Sequence, residues 1–164
     1  MSHPPVIDGF EFASAGATQE GRLSLSSFPR LHDMVVSDAG EAAYTLRGIR
    51  DERGRPSLRL QVRATVQLRC QRCLGSLAHE VSTDEVLVLA ASQAEIEADP
   101  ITVDAPDRVI AGKEMDVSAL VEDELILALP YAPRHDECEA RPEGHDKAAS
   151  SPFADLRSIM QRKH

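Results

Sequence analysis

The clearest pattern in the chain lies between Leu58 and Cys70. Leu58, Leu60, Val62, Ala64, Val66, Leu68 and Cys70 alternate with Arg59, Gln61, Arg63, Thr65, Gln67 and Arg69. Period-two alternation of this length predicts a strand with one buried and one wet face. At about 3.3 Å per residue it would span roughly 40 Å, a length that favours a bent, barrel-like strand. A shorter alternation predicts a preceding strand from about Ala42 to Arg50. The polar run Asp51-Glu52-Arg53-Gly54-Arg55-Pro56 between the two reads as a hairpin turn. A third strand is expected from about Leu77 to Ala90.

The flanks are less regular. Before residue 30, Gly9, Gly16, Gly21 and Pro29 break the pattern. A short helix from Phe10 to Gly21, a strand near Arg22 to Ser26 and a helical turn over Pro29 to Val35 are expected there. Residues Ser92 to Pro106 read as an acidic, irregular surface excursion, followed by a short strand at Arg108 to Ala111. Asp116 is a good N-cap for a helix through about Leu129, with Val117, Leu120, Val121, Glu124, Leu125, Ala128 and Leu129 on one face. Glu124 on that apolar face implies a buried partner such as an arginine. Beyond Pro133 the chain turns polar and reads as a flexible tail. That tail ends in a short helix capped by Ser151, with Phe153, Leu156, Ile159 and Met160 on one side. Phe153, Leu156 and Ile159 are candidates for docking in a partner's groove.

These elements make an α+β protein: a curved antiparallel sheet or partly open β-barrel with a covering helix. Residues 1–40 are expected to pack on a core of residues 41–133, with residues 134–164 as the tail.

Composition narrows the function. Aromatic residues are only 4% of the chain and Trp is absent, which disfavours a wide base-stacking platform. The N-terminus lacks a basic start followed by an apolar run, so no secretory leader is expected. The apolar run Leu125 to Ala132 is too short for a bilayer, so no membrane partner is expected. Three Cys do not make a disulfide framework and suit a reducing cytoplasm. The net charge of −9 excludes RNA binding by bulk electrostatics. It puts weight on a local exception. Between residues 47 and 72 there are eight arginines against two acids. Of these, Arg59, Arg63 and Arg69 share one face of the long strand. With Arg47 and Arg72 they are candidates to contact RNA phosphates, since guanidinium forks match phosphate oxygens. A solvated sheet face neutralised by carboxylates is the competing reading.

Cys70 and Cys73 lie at the tip between two strands. Thiolates at this spacing can share a zinc ion, with Cys138 and His135 as further ligands; a pair of ordinary reduced cysteines is the alternative. No cofactor other than this possible Zn2+ is indicated. A thioredoxin-like oxidoreductase would place the motif at a helix start after a parallel strand, which this pattern does not. A magnesium nuclease through Glu122 and Asp123 is disfavoured, because consecutive helical positions point about 100° apart. No phosphate loop, nucleophile elbow or zinc-protease motif occurs, so no catalytic constellation is expected and the chain reads as a non-enzyme.

The segments Arg69-Cys70-Gln71-Arg72-Cys73-Leu74, Val121-Glu122-Asp123-Glu124-Leu125-Ile126-Leu127-Ala128-Leu129-Pro130, His135-Asp136-Glu137-Cys138 and Ser151-Pro152-Phe153-Ala154-Asp155-Leu156 together resemble the large ribosomal RNA subunit accumulation protein family, the YceD family. The resemblance implies a role in the synthesis, processing or stability of 23S ribosomal RNA. It implies 23S ribosomal RNA or a pre-ribosomal particle as partner, and ribosomal proteins or assembly factors in an adaptor reading. It transfers no catalytic residue. Some members of the family carry further cysteines in the C-terminal segment, where this chain has Cys138 and His135.

Overall fold

A computed structural model of the protein describes residues 5–98 and 105–138. Its centre is a hairpin of β4 (Pro56–Arg69) and β5 (Ser76–Ala90), paired antiparallel from Arg69↔Ser76 to Ser57↔Val88. On the other side of β4 lie β3 (Glu41–Arg50) and then β2 (Thr18–Ser24), both antiparallel. β6 (Arg108–Ile110) joins the far side of β5 in parallel, so the order is β2-β3-β4-β5-β6. The sheet is mostly antiparallel, and it is open: β2 and β6 do not meet, so the barrel alternative does not form.

The alternation in β4 sets its two faces. Leu58, Leu60, Val62 and Val66 have no solvent exposure, while Arg59, Gln61, Arg63 and Arg69 are exposed. Burying each such apolar side chain stabilises the fold by about 1.5–3 kcal/mol. Two helices cover the apolar face. α1 (Gly9–Ala15) crosses β3 at Gly48, where a Cβ would come within 2.3 Å of the Phe12 carbonyl oxygen. After α2 (Gln93–Ala98), α3 (Val117–Leu127) buries Val117, Val121 and Leu125. Asp116 caps it as expected, accepting from the Ser118 N–H at 2.8 Å. The two-residue strands β1 (Val6–Ile7) and β7 (Met115–Asp116) tie the N-terminal segment to the start of α3.

Several local expectations are revised. The first helix stops at Gly16, whose left-handed backbone (φ 60) closes it; Thr18 to Ser24 then extend as β2. The proposed turn at Pro29 to Val35 contains only a 3-10 turn at His32–Met34. The acidic excursion includes α2. α3 buries the face expected of it, but the arginine expected at Glu124 is elsewhere. Glu122, not Glu124, meets arginine: its carboxylate accepts from the backbone N–H of Arg30 (2.6 Å) and Leu31 (3.1 Å) and from Arg30 Nε (2.9 Å). That clamp fixes α3, and with it the direction in which residues 128–138 leave the core. Phe153, Leu156 and Ile159 lie outside the described residues.

Candidate metal centre and arginine face

The tip of the β4–β5 hairpin is a tight knuckle. The Cys70 N–H donates to the Gly75 carbonyl at 2.9 Å, and the Leu74 N–H to the Cys70 carbonyl at 3.0 Å. Leu74 is the one non-glycine among the described residues with positive φ (61), a conformation costly for a branched side chain and retained only where the surroundings impose it. The turn also aims the Arg72 N–H at Cys70 Sγ, 3.4 Å away.

The chain after α3 returns to this knuckle. Gln71 N–H donates to the Pro133 carbonyl at 2.8 Å, and Arg72 Nη1 to the Cys138 carbonyl at 3.1 Å. Cys138 Sγ then lies 3.7 Å from Cys70 Sγ, and His135 Nδ1 lies 3.3 Å from Cys73 Sγ. The ligand atoms of Cys70, Cys73, His135 and Cys138 all fall within 4.8 Å of one another. A tetrahedral zinc with Zn–S near 2.3 Å requires sulfurs about 3.8 Å apart, so the set fits a tetrahedral ion. His135 Nε2 sits 3.0 Å from the Ser76 carbonyl oxygen, which can only accept. This fixes the proton on Nε2 and leaves the Nδ1 lone pair facing the sulfurs, a common outer-shell arrangement for a ligating histidine.

The electrostatics agree with a cation site. The Cys73 backbone N–H, against the opposing effect of burial, and then the His135 and Arg72 N–H groups hold the Cys70 thiol down to about 5. Burial and the neighbouring sulfurs of Cys70 and Cys73 push the Cys138 thiol up. A divalent ion would relieve that crowding of negative charge. All three cysteines are free thiols.

The second candidate site is the wet face of the sheet. Arg47 and Arg59 stand directly opposite each other, a like-charge pair that needs relief. Asp84 on β5 supplies it for Arg59, accepting from Nε at 2.6 Å and Nη2 at 2.7 Å, while Gln61 Nε2 donates to the same carboxylate at 2.8 Å. The Arg59 fork and the Gln61 amide hold Asp84 down to about 2. Arg22, on the same face, pairs with Glu41 at 3.5 Å. Arg47, Arg63 and Arg69 are exposed and form no ion pair among the described residues. A groove of about 310 Å³ runs beside Arg47 and Arg59, lined also by Thr18, Glu20, Thr45 and Gln61. The stripe divides: Arg59 is neutralised and Arg72 is engaged at the knuckle, whereas Arg47, Arg63 and Arg69 have no ion pair among the described residues. The sequence pattern missed Asp84, whose role depends on the cross-strand register, and the part of β2 in the groove.

Fold and site together define a small α+β protein with a cysteine–histidine cluster at a hairpin tip and a partly neutralised arginine face. A family model described as "Large ribosomal RNA subunit accumulation protein YceD" matches residues 58–158, and the chain belongs to that family. The Large ribosomal RNA subunit accumulation protein YceD of Haemophilus influenzae is 27% identical over 170 residues, spanning 97% of each chain. No solved structure matches. No helix among the described residues is long and apolar enough to cross a membrane.

Proposed function

We propose that the protein is a non-catalytic, cytoplasmic ribosome-biogenesis factor. It supports accumulation of 23S ribosomal RNA by contacting that RNA, or a pre-ribosomal particle, through its arginine face. The name shared by the family and the Haemophilus influenzae relative supports the biological role. The observation that carries the contact is the set Arg47, Arg63 and Arg69, exposed and without acid partners among the described residues, on a chain of net charge −9. Phosphate is the partner that guanidinium groups spread over a sheet face recognise best.

In this reading one zinc ion, held by Cys70, Cys73, His135 and Cys138, supplies a structural cross-link. The protein's own part is to fold the knuckle, fix the His135 tautomer and carry residues 131–138 back to the hairpin. That places Arg69 and Arg72 on a rigid tip at the end of the arginine face. Phe153, Leu156 and Ile159 would recruit a protein partner.

The test is sedimentation of the protein with ribosomal particles, compared with the variant R47E/R63E/R69E. Loss of co-sedimentation by the folded variant is expected; binding that persists and ignores salt would reject the contact. An adaptor that engages basic ribosomal proteins or assembly factors is the second reading, favoured by the acidic remainder of the chain. It predicts association that survives nuclease treatment.

A further inference from the structure

The β4–β5 hairpin is polarised in charge. β4 carries Arg59, Arg63 and Arg69 and no carboxylate, whereas β5 carries Glu80, Asp84 and Glu85 and no Lys or Arg. The two strands also differ in their neighbours. β4 is paired on both sides, but β6 covers β5 only at Val88, Leu89 and Ala90. Among the described residues, the outer edge of β5 from Leu77 to Leu87 therefore has no strand against it. A row of unpaired backbone donors and acceptors is a template for an added strand.

Behind that edge sits a buried carboxyl with no cation beside it among the described residues. Glu124 of α3 is 5% exposed and, among the described residues, has no cation paired with it. The buried Thr83 hydroxyl is its polar neighbour and the one group beside it that favours the charged form. The charges that act on Glu124 are those of Glu85, Asp107 and Asp123; they and, above all, its burial push its carboxyl pKa up. Glu122, two positions earlier, shows how this fold satisfies a buried carboxylate: it has Arg30. Burial and the neighbouring acids disfavour the charged form of this carboxyl, and a positive group brought beside it would reverse that. A bare metal ion does not fit, because the only convergent ligand set among the described residues is the Cys/His cluster at the tip. A guanidinium or ammonium on its own flexible stem can reach where carboxylates do not converge.

We propose that the β5 edge from Leu77 to Leu87 docks an extended, basic segment of a partner polypeptide, which adds as a strand and extends one Lys or Arg toward Glu85 and Glu124. Acids along an edge strand also serve to prevent unwanted association, which accounts for Glu80 and Glu85. It does not account for Glu124, which belongs to a helix and is buried. A second copy of the chain is a poor occupant, since edge-to-edge pairing of two β5 strands would bring together their Glu80, Asp84 and Glu85 carboxylates.

The probe is a fluorescein-labelled peptide alternating Lys and Val, with a matched peptide carrying Glu in place of Lys. Binding to the full chain is read by anisotropy, and its location by hydrogen exchange. The Lys peptide should bind and protect amides between Leu77 and Leu87, and the Glu peptide should not bind. E85Q/E124Q should weaken binding about tenfold, equivalent to about 1.4 kcal/mol. E85K, at an exposed position, should do the same and serves if the double variant fails to fold. R47E/R63E/R69E should bind the peptide normally, which separates this site from the RNA contact. Unchanged affinity in the Glu85 and Glu124 variants, or binding without protection of β5, would overturn the proposal. So would protection in the absence of peptide: a concentration-dependent signal would assign the edge to a second copy, and a concentration-independent one to this chain's own segments.

Discussion

The tip and the wet face of β4 are built in different ways. At its C-terminal end, Cys70 and Cys73 meet His135 and Cys138 across more than sixty residues of sequence, within 4.8 Å. Along its wet face, Arg59, Arg63 and Arg69 are placed by strand periodicity alone, with Arg47 added by the β3 register. A convergent site is all-or-none: remove one ligand and the geometry that defines it is gone. A distributed face degrades gradually, and its members can be partly cancelled by neighbours, as Asp84 cancels Arg59. The tip should therefore govern stability and local order, and the face should govern affinity.

The sharpest way to break this division is to remove a ligand. C70S should abolish stoichiometric zinc, measured by elemental analysis, and destabilise the protein by several kcal/mol, on the order expected for a structural site. Hydrogen exchange should show amides of residues 131–138 opening first. If C70S leaves stability and exchange unchanged, the tip is not a metal-dependent element.

Next in size is the clamp that aims α3. E122A removes acceptors from two backbone N–H groups and from Arg30, and should cost about 3 kcal/mol in urea unfolding. Zinc content should persist in the folded fraction, which separates support of the helix from ligation at the tip.

The face should respond in the opposite sense. R47E/R63E/R69E should leave unfolding within about 0.5 kcal/mol of the parent while collapsing RNA affinity. If all three contact phosphates, the slope of log affinity against log salt should also fall by about 2. The smallest effect is expected from D84N, which frees Arg59 and should raise RNA affinity a few-fold. It should also change acid stability. Asp84 has a folded pKa depressed to about 2. Its stabilisation is therefore present above the ordinary carboxylate range near 4 and is lost as pH falls toward 2. D84N should remove that part of the acid dependence, measured by thermal unfolding across this range.

Much of this molecule was legible in its residues because alternation is a local signal. β3, β4 and β5 were placed to within about two residues, and the faces of β4 followed from Leu58 to Cys70 without any knowledge of neighbours. The four metal-ligand candidates were also legible as residue types, although only the return of residues 131–138 brings them together. What failed was tertiary. The buried face of α3 was legible, but its arginine was not: Arg30, 92 residues from Glu122, decides which carboxylate is satisfied. The parallel placement of β6 and the open sheet edge depend on strand order, which no local pattern encodes.

The most direct test of the central claim is crosslinking of the full-length protein to RNA in cells, followed by sequencing of the bound fragments. The account predicts enrichment of 23S ribosomal RNA, lost in R47E/R63E/R69E at equal protein level. It also predicts that crosslinked peptides map to β3, β4 and the knuckle. Absence of ribosomal RNA among the fragments, or enrichment unchanged in the triple variant, would contradict it.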